Sequence, residues 1–161
     1  MGDSCAAMVT LDGFDRKIIA ALQSDGRLTN QQLADKVGLS PSQCSRRRVG
    51  LEQTGIIRGY RADIVPEAVG FAILAFIQVT LATHTRDNAQ LFRRLVLSAP
   101  SVQEAHALTG DADYLLKVRL ATLSELAAFV NETLLAHPSV ARVSSSVVFE
   151  SLKDHAALPI K

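Results

Sequence analysis

Residues 28–58, LTNQQLADKVGLSPSQCSRRRVGLEQTGIIR, constrain the fold more than any other stretch, because they set the start and stop signals of two short helices side by side. Thr29 or Asn30 caps the first helix. Leu33, Ala34 and Val37 give it an apolar face, and Gly38 closes it in the left-handed conformation a C′ position favours. Ser40 caps the second helix, Pro41 takes N1, where its missing N–H costs nothing, and Gln43 completes a capping box back to Ser40. Ala34, Gly38 and Cys44 are small at the positions where two helices crossing steeply at short distance require it. Upstream, LDGFDRKIIAALQSDG carries Phe14, Ile18, Ile19 and Leu22 at helical spacing and stops at Asp25-Gly26. These three helices predict a helix-turn-helix bundle.

Charge agrees with that form. The whole chain of 161 residues is near neutral, at +1, yet residues 42–61 hold Arg46, Arg47, Arg48, Arg58 and Arg61 against the single acid Glu52. A local basic patch on a near-neutral chain suits a protein that touches phosphate with one face. The competing reading is a solvated charged face. The first two turns of the second helix present Ser42, Gln43, Ser45, Arg46, Arg47 and Arg48, the end that a recognition helix inserts into the major groove of double-stranded DNA. Thr29 and Asn30 either cap the preceding helix alone or also bond a phosphate.

Beyond this unit the pattern changes. GIIRGYRADI alternates as a short strand, and VPEAVG reads as a linker. Phe71–Ala82 then reads as a strand and Asp87–Ala99 as a helix with Leu91, Phe92, Leu95 and Val96 inward. Val102–Thr109 is a second strand. The same grammar returns as strand Tyr114–Ala121, helix Ser124–Ala136 with Leu126, Ala127, Val130 and Leu134 inward, and strand Ala141–Glu150. Even the helix exits match, Pro100-Ser101-Val102 against Pro138-Ser139-Val140. A βαβ unit written twice is the ferredoxin-like layout, four antiparallel strands with two helices on one face, so the chain is α+β.

Alternation places Ile73, Ile77, Val79, Leu116, Val118, Leu120, Val143, Val147 and Phe149 beneath the helices. Leu74, Phe76, Leu108, Leu115 and Val148 fall on the opposite face, together with Glu104, His106 and Lys117. An uncovered apolar face predicts sheet-to-sheet dimerisation, and paired recognition helices suit paired half-sites. The expected domains are a disordered tail over 1–10, a DNA-binding domain over 11–61, a linker over 62–70, a ferredoxin-like effector and assembly domain over 71–153, and a C-terminal tail over 154–161.

At this point the chain resembles the Lrp/AsnC family, the feast/famine regulators. The residues that carry the resemblance are LDGFDRKIIAALQSDGR, TNQQLADKVGLS, LEQTGIIRGYRA, LTGDADYLLKVRL and PSVARVSSSVVFESLK. Most specific is Thr109-Gly110-Asp111-Ala112-Asp113-Tyr114, similar to the family's Gly-Asp-x-Asp-Tyr turn between the second and third strands of its ligand-binding domain. The resemblance implies a winged-helix-like DNA-binding domain, a RAM or ACT-like effector domain, dimers that build octamers or helical arrays, and a free amino acid bound where neighbouring dimers meet. Arg48 departs from the pattern by standing where an aliphatic residue is commoner, and Gly50 weakens the helix it sits in.

In that turn Gly110 allows close backbone approach, and Asp111 and Asp113 supply acceptors for an α-ammonium group. The competing reading is that both aspartates only organise a hairpin turn. Thr109 and the turn's N–H groups would take the carboxylate, while His106 beside Glu104 reads as a paired interface residue. Cys44 is either a packing residue or a redox sensor beside the basic cluster.

Neither CxxC nor paired i, i+4 histidines occur among Cys5, Cys44, His84, His106, His137 and His155, so no metal, disulfide framework or other cofactor is expected. MGDSCAAMV lacks a basic n-region, and the apolar stretch GFAILAFIQVTLA is too short to span a bilayer. The expectation is a cytoplasmic, nucleoid-associated regulator of transcription. An architectural DNA protein without effector is the alternative, and a ferredoxin-like enzyme is a remote third, since no nucleophile is paired with a base.

Overall fold

The computed structural model describes residues 10–154 and 156–160. Most of the expected N-terminal tail, with Cys5, and His155 of the expected C-terminal tail lie outside the described residues. The chain divides into two compact units, residues 1–63 with 153–161, and residues 64–152.

The first unit is built from α1 (Gly13–Ser24), α2 (Asn30–Val37) and α3 (Pro41–Gln53). All three begin with a reciprocal capping box, Asp12 with Asp15, Thr29 with Gln32, and Ser40 with Gln43. Thr29 rather than Asn30 is the cap of α2, and Gly38 ends that helix at φ 77°, ψ 40°. Ile18, Ile19, Leu22, Leu28, Leu33, Ala34, Val37, Cys44 and Leu51 form the core. Cys44 is fully buried, and burial pushes its thiol up, away from the thiolate a sensor needs. It is a packing residue here. Phe14, expected inward on α1, is 39% exposed and lies beneath the Arg47 guanidinium instead.

Two expectations in this unit are corrected. GIIRGYRADI forms no strand, because Gly55 and Gly59 both take positive φ, 73° and 150°, which breaks the alternation a ladder needs. The expected C-terminal tail packs on the unit. Leu158 exchanges two hydrogen bonds with the Gln23 side chain, at 2.7 and 3.2 Å, and Ile160 joins the apolar core.

Gly50 lies inside α3 with nothing within 4 Å of where a Cβ would stand. Gly50→Ala is therefore expected to stabilise this unit by about 1 kcal/mol, because alanine loses less backbone entropy in a helix. Urea denaturation followed by helical circular dichroism checks it, and a lowered midpoint would refute it.

The second unit is a four-stranded antiparallel sheet of β1 (Ile73–Leu81), β2 (Val102–Ala107), β3 (Tyr114–Leu120) and β4 (Val140–Val147), in the order β2-β3-β1-β4. On one face lie α4 (Arg86–Ser98) and α5 (Leu123–Ala128), the latter continued by a π-helical stretch Phe129–Leu134. This is the expected ferredoxin-like arrangement. Ala75, Ile77, Val79, Leu116, Val118 and Phe92 are buried between the layers. The inward face differs in part at the π turn. Leu135 N–H reaches back five residues to the Val130 carbonyl at 2.9 Å; Leu126, Val130 and Leu134 face the core as expected, while Phe129 is buried there and Ala127, expected inward, is exposed. Leu91 likewise lies outward on α4, at 38% exposure.

On the sheet, Val147 at the end of β4 is 48% exposed and Phe149, beyond the strand, is fully exposed, so neither lies under a helix as the alternation predicts. The opposite face is only partly bare. Phe76 and Leu108 are exposed, but Leu74 and Arg119 are each 9% accessible, and Arg119 Nη1 bonds Glu67 Oε1 at 3.1 Å. Glu67 belongs to a 3₁₀ turn, Pro66–Val69, so much of the expected linker is part of this unit. On the same face Glu104 pairs with Lys117 at 2.9 Å and His106 at 3.2 Å, and the Lys117 ammonium draws its carboxyl below the usual range.

Candidate nucleic-acid interface and effector pocket

Helix α3 sorts its side chains by face. Cys44 and Leu51 point to the core, while Ser42, Arg46, Val49 and Gln53, at helical spacing, are exposed. Ser40 and Gln43 are occupied with the cap: Gln43 Oε1 accepts from the Ser40 N–H and hydroxyl, both at 3.0 Å. Ser42 Oγ sits 3.1 Å from Ser40 Oγ, and Ser45 is half-buried. Val49 was not anticipated, although its place three residues after Arg46 puts it on the same strip, where an apolar side chain can meet a thymine methyl.

The three arginines have different surroundings. Arg46 is exposed. Arg47 places Nη1 2.7 Å from Asp12 Oδ2 and 2.7 Å from Asp15 Oδ1, over the Phe14 ring at 5.6 Å. Asp12 is held below the usual carboxylate range, mainly by the Asp15 N–H and further by Arg47. Arg48 donates through Nε to Glu52 Oε1 and Tyr60 Oη and through Nη1 to the Leu28 carbonyl at 3.1 Å, with the Tyr60 ring 4.6 Å away. Its stem is covered and its charge reaches backbone, which fits an arginine at a position that suits an aliphatic residue. In α2, Thr29 is occupied as the cap, and Asn30 Oδ1 is enclosed with no hydrogen-bond partner among the described residues.

In the second unit the turn 108–113 joins β2 to β3, with Gly110 at φ 137°. Asp113 organises it: its carbonyl accepts from Leu108 N–H at 2.9 Å and its N–H donates to the Val79 carbonyl at 3.0 Å. Its Oδ2 accepts from Leu81 N–H at 2.7 Å, where β1 and β4 shift register, and Oδ1 lies 3.4 Å from His84 Nδ1. Thr109, Gly110 and Asp111 are exposed and Ala112 is half-buried.

A hollow of about 330 Å³ beside this turn is lined by Leu81, His84, Arg86, Leu108, Asp113 and Tyr114, among others. It shares Arg86, Ala89, Ala107 and Tyr114 with a hollow of about 500 Å³ between α4 and the edge strand β2, which adds Phe92, Gln90, Arg93 and Leu97. Tyr114 stacks on Phe92 with centroids 4.7 Å apart. Of the six turn residues singled out in the sequence, only Asp113 and Tyr114 line these hollows. Arg86 was missed; the signal was Thr85, a helix cap that sets the first residue of α4 beside the turn.

Comparison with known proteins bears on both units. Residues 11–52 match the family model of the AsnC-type helix-turn-helix domain, and residues 74–158 match that of the Lrp/AsnC ligand binding domain. The leucine-responsive regulatory protein of Escherichia coli K12 is 39% identical over 151 residues, covering 94% of this chain and 92% of the relative. A transcriptional regulator of Neisseria meningitidis, solved as an L-Met complex, superposes with a TM-score of 0.89 at 41% identity, covering 93% and 97% of the two chains. An AsnC family transcriptional regulator of Agrobacterium tumefaciens gives 0.86 at 34% identity, with 92% and 97% covered.

Proposed function

The chain belongs to the Lrp/AsnC family of transcriptional regulators, and from that premise we propose that its effector is an L-amino acid with an apolar side chain, held beside the 108–113 turn. DNA binding modulated by a small molecule is the function of the chain. The observation that carries the finer reading is one hollow offering a guanidinium, Arg86, and a carboxylate, Asp113, and adjoining an apolar floor of Phe92, Leu97 and Tyr114. A zwitterion with an apolar side chain needs those three features together. The Neisseria relative was solved with L-Met and the Escherichia relative is leucine-responsive, which favours the same ligand class.

On DNA, the exposed strip of Ser42, Arg46 and Val49 supplies the contacts of α3, with Ser45 at its margin and Thr29 at the capped end of α2. The exposed Phe76 supports assembly through the sheet: in this reading a second copy covers it on the face away from the helices, and such dimers build octamers on the nucleoid of the cytoplasm. Among the described residues no helix is long and apolar enough to cross a membrane.

The test is fluorescence anisotropy of a duplex from upstream of the protein's own gene at fixed salt, with and without L-methionine or L-leucine. A saturable curve that shifts with either amino acid is expected. Tight binding that ignores both, and ignores the other eighteen, would transfer the chain to an architectural role.

A further inference from the structure

We propose that the consecutive arginines of α3 divide their work: Arg46 carries charge to DNA, while Arg47 is a positioning residue that clamps α3 to the capped start of α1. This rests on the DNA-binding reading above and assigns residues within it.

Arg47 starts from fixed acceptors. Asp12 Oδ1 accepts from the N–H groups of Phe14 and Asp15, each at 2.8 Å, while Asp15 Oδ2 accepts from the Asp12 N–H at 3.2 Å. The capping box therefore holds both carboxylates before the guanidinium arrives, and Arg47 Nη1 meets the remaining oxygens at 2.7 Å each. The Phe14 face beneath it completes a seat in which 27% of the side chain is accessible. For Arg47 to reach a phosphate it would leave two carboxylates and a ring.

Net charge points the same way. Two carboxylates already answer the Arg47 guanidinium, and Lys17, 5.7 Å from the same Phe14 ring, only balances the second acid, so this corner holds no surplus positive charge to gather a phosphate. Arg48 is neutralised in turn by Glu52. Of the three, Arg46 is the exposed one, and it shares its strip with Ser42 and Val49. Adjacent helical residues lie about 100° apart, so a helix that turns Arg46 to the groove turns Arg47 aside. What the clamp fixes is the orientation of α3 relative to the bundle, on which every base contact depends.

The full-length protein is titrated with the upstream duplex across a salt series. Arg46→Gln is expected to weaken binding roughly tenfold and either to lower the salt slope by about one or to relax preference at one base pair. Arg47→Gln is expected to weaken binding with the slope unchanged. Asp12→Asn with Asp15→Asn keeps a capping side chain on α1 and adds favourable charge. In the Arg47→Gln background that pair of changes should strengthen binding through charge alone. In the wild-type background the lost clamp should cancel part of the gain. A double-mutant cycle with the opposite coupling, where freeing Arg47 from its acids helps binding most, would overturn the proposal, as would a slope that falls with Arg47→Gln. Arg47→Lys, which keeps the charge but not the planar guanidinium over the Phe14 ring, should recover only part of the loss. Amide exchange judges the clamp without DNA: Arg47→Gln should speed exchange in the first turn of α1, and unchanged exchange would refute it. A wild-type protein that binds no DNA would sink the function instead, leaving that second measurement to decide the clamp.

Discussion

Phe92→Ala is expected to destabilise the ligand-binding unit by about 3–5 kcal/mol, the range for deleting a buried aromatic ring. Phe92 is 1% exposed, sits on α4 against the sheet core with Ile77, Val79 and Leu116, and supports Tyr114 through ring contact at 4.7 Å. No repacking by small neighbours can refill that volume, because β-sheet residues on the facing layer are fixed by the ladder. The same ring lines the larger hollow, so its loss should also loosen the floor proposed above for the effector's side chain. The two units have separate apolar cores. Amide exchange should therefore rise across β1, β3 and α4 while α1 to α3 keep wild-type protection. Equal loss of protection in both units would show that they unfold as one, and a stability change below 1 kcal/mol would show that Phe92 is not the centre of that core.

Local features were legible in the sequence and distant partners were not. Gly38, Ser40, Pro41 and Gln43 announce a turn and a cap through bonds spanning at most a few residues, and the structure places them as expected. The repeated Pro-Ser-Val exits likewise marked where two helices hand over to strands. Arg47 could not be assigned in this way, because its acids lie 32 and 35 residues upstream and nothing in the local pattern of α3 distinguishes it from Arg46. Alternation misled where geometry changes without a compositional mark. Phe129, where the π turn begins, enters the core while Ala127 stays out, and Phe149 continues a period that the strand itself has already ended. The Leu158 and Ile160 contacts to the first unit join residues from opposite ends of the sequence, so no window could reveal them. Arg86 escaped for a different reason: a lone arginine on a helix is ordinary until the turn at Asp113 is folded beside it.

Asp111 and Asp113 occupy the same turn, and their replacement by alanine is expected to have opposite signatures. Asp113 Oδ2 receives the Leu81 N–H at 2.7 Å in a part-buried place where the β1–β4 pairing is already irregular. Asp113→Ala leaves that donor without its acceptor, a loss of about 1–3 kcal/mol, and removes the carboxylate from the hollow proposed for the effector. The variant should lose both stability and the amino-acid response, and Asp113→Asn should restore much of the first but little of the second, since an amide oxygen still accepts from Leu81 while a neutral group attracts an ammonium far less. Asp111 is exposed and lines neither hollow, so Asp111→Ala should leave the unfolding midpoint within experimental error. Urea denaturation and calorimetric titration with L-methionine separate the cases. If Asp113→Asn binds the amino acid as wild type does, the ammonium subsite lies elsewhere and Asp113 is only the keystone of its turn. If Asp111→Ala loses binding at unchanged stability, the effector is gripped from the outer side of the turn, which in a single chain faces solvent and would require a neighbouring subunit to complete the pocket.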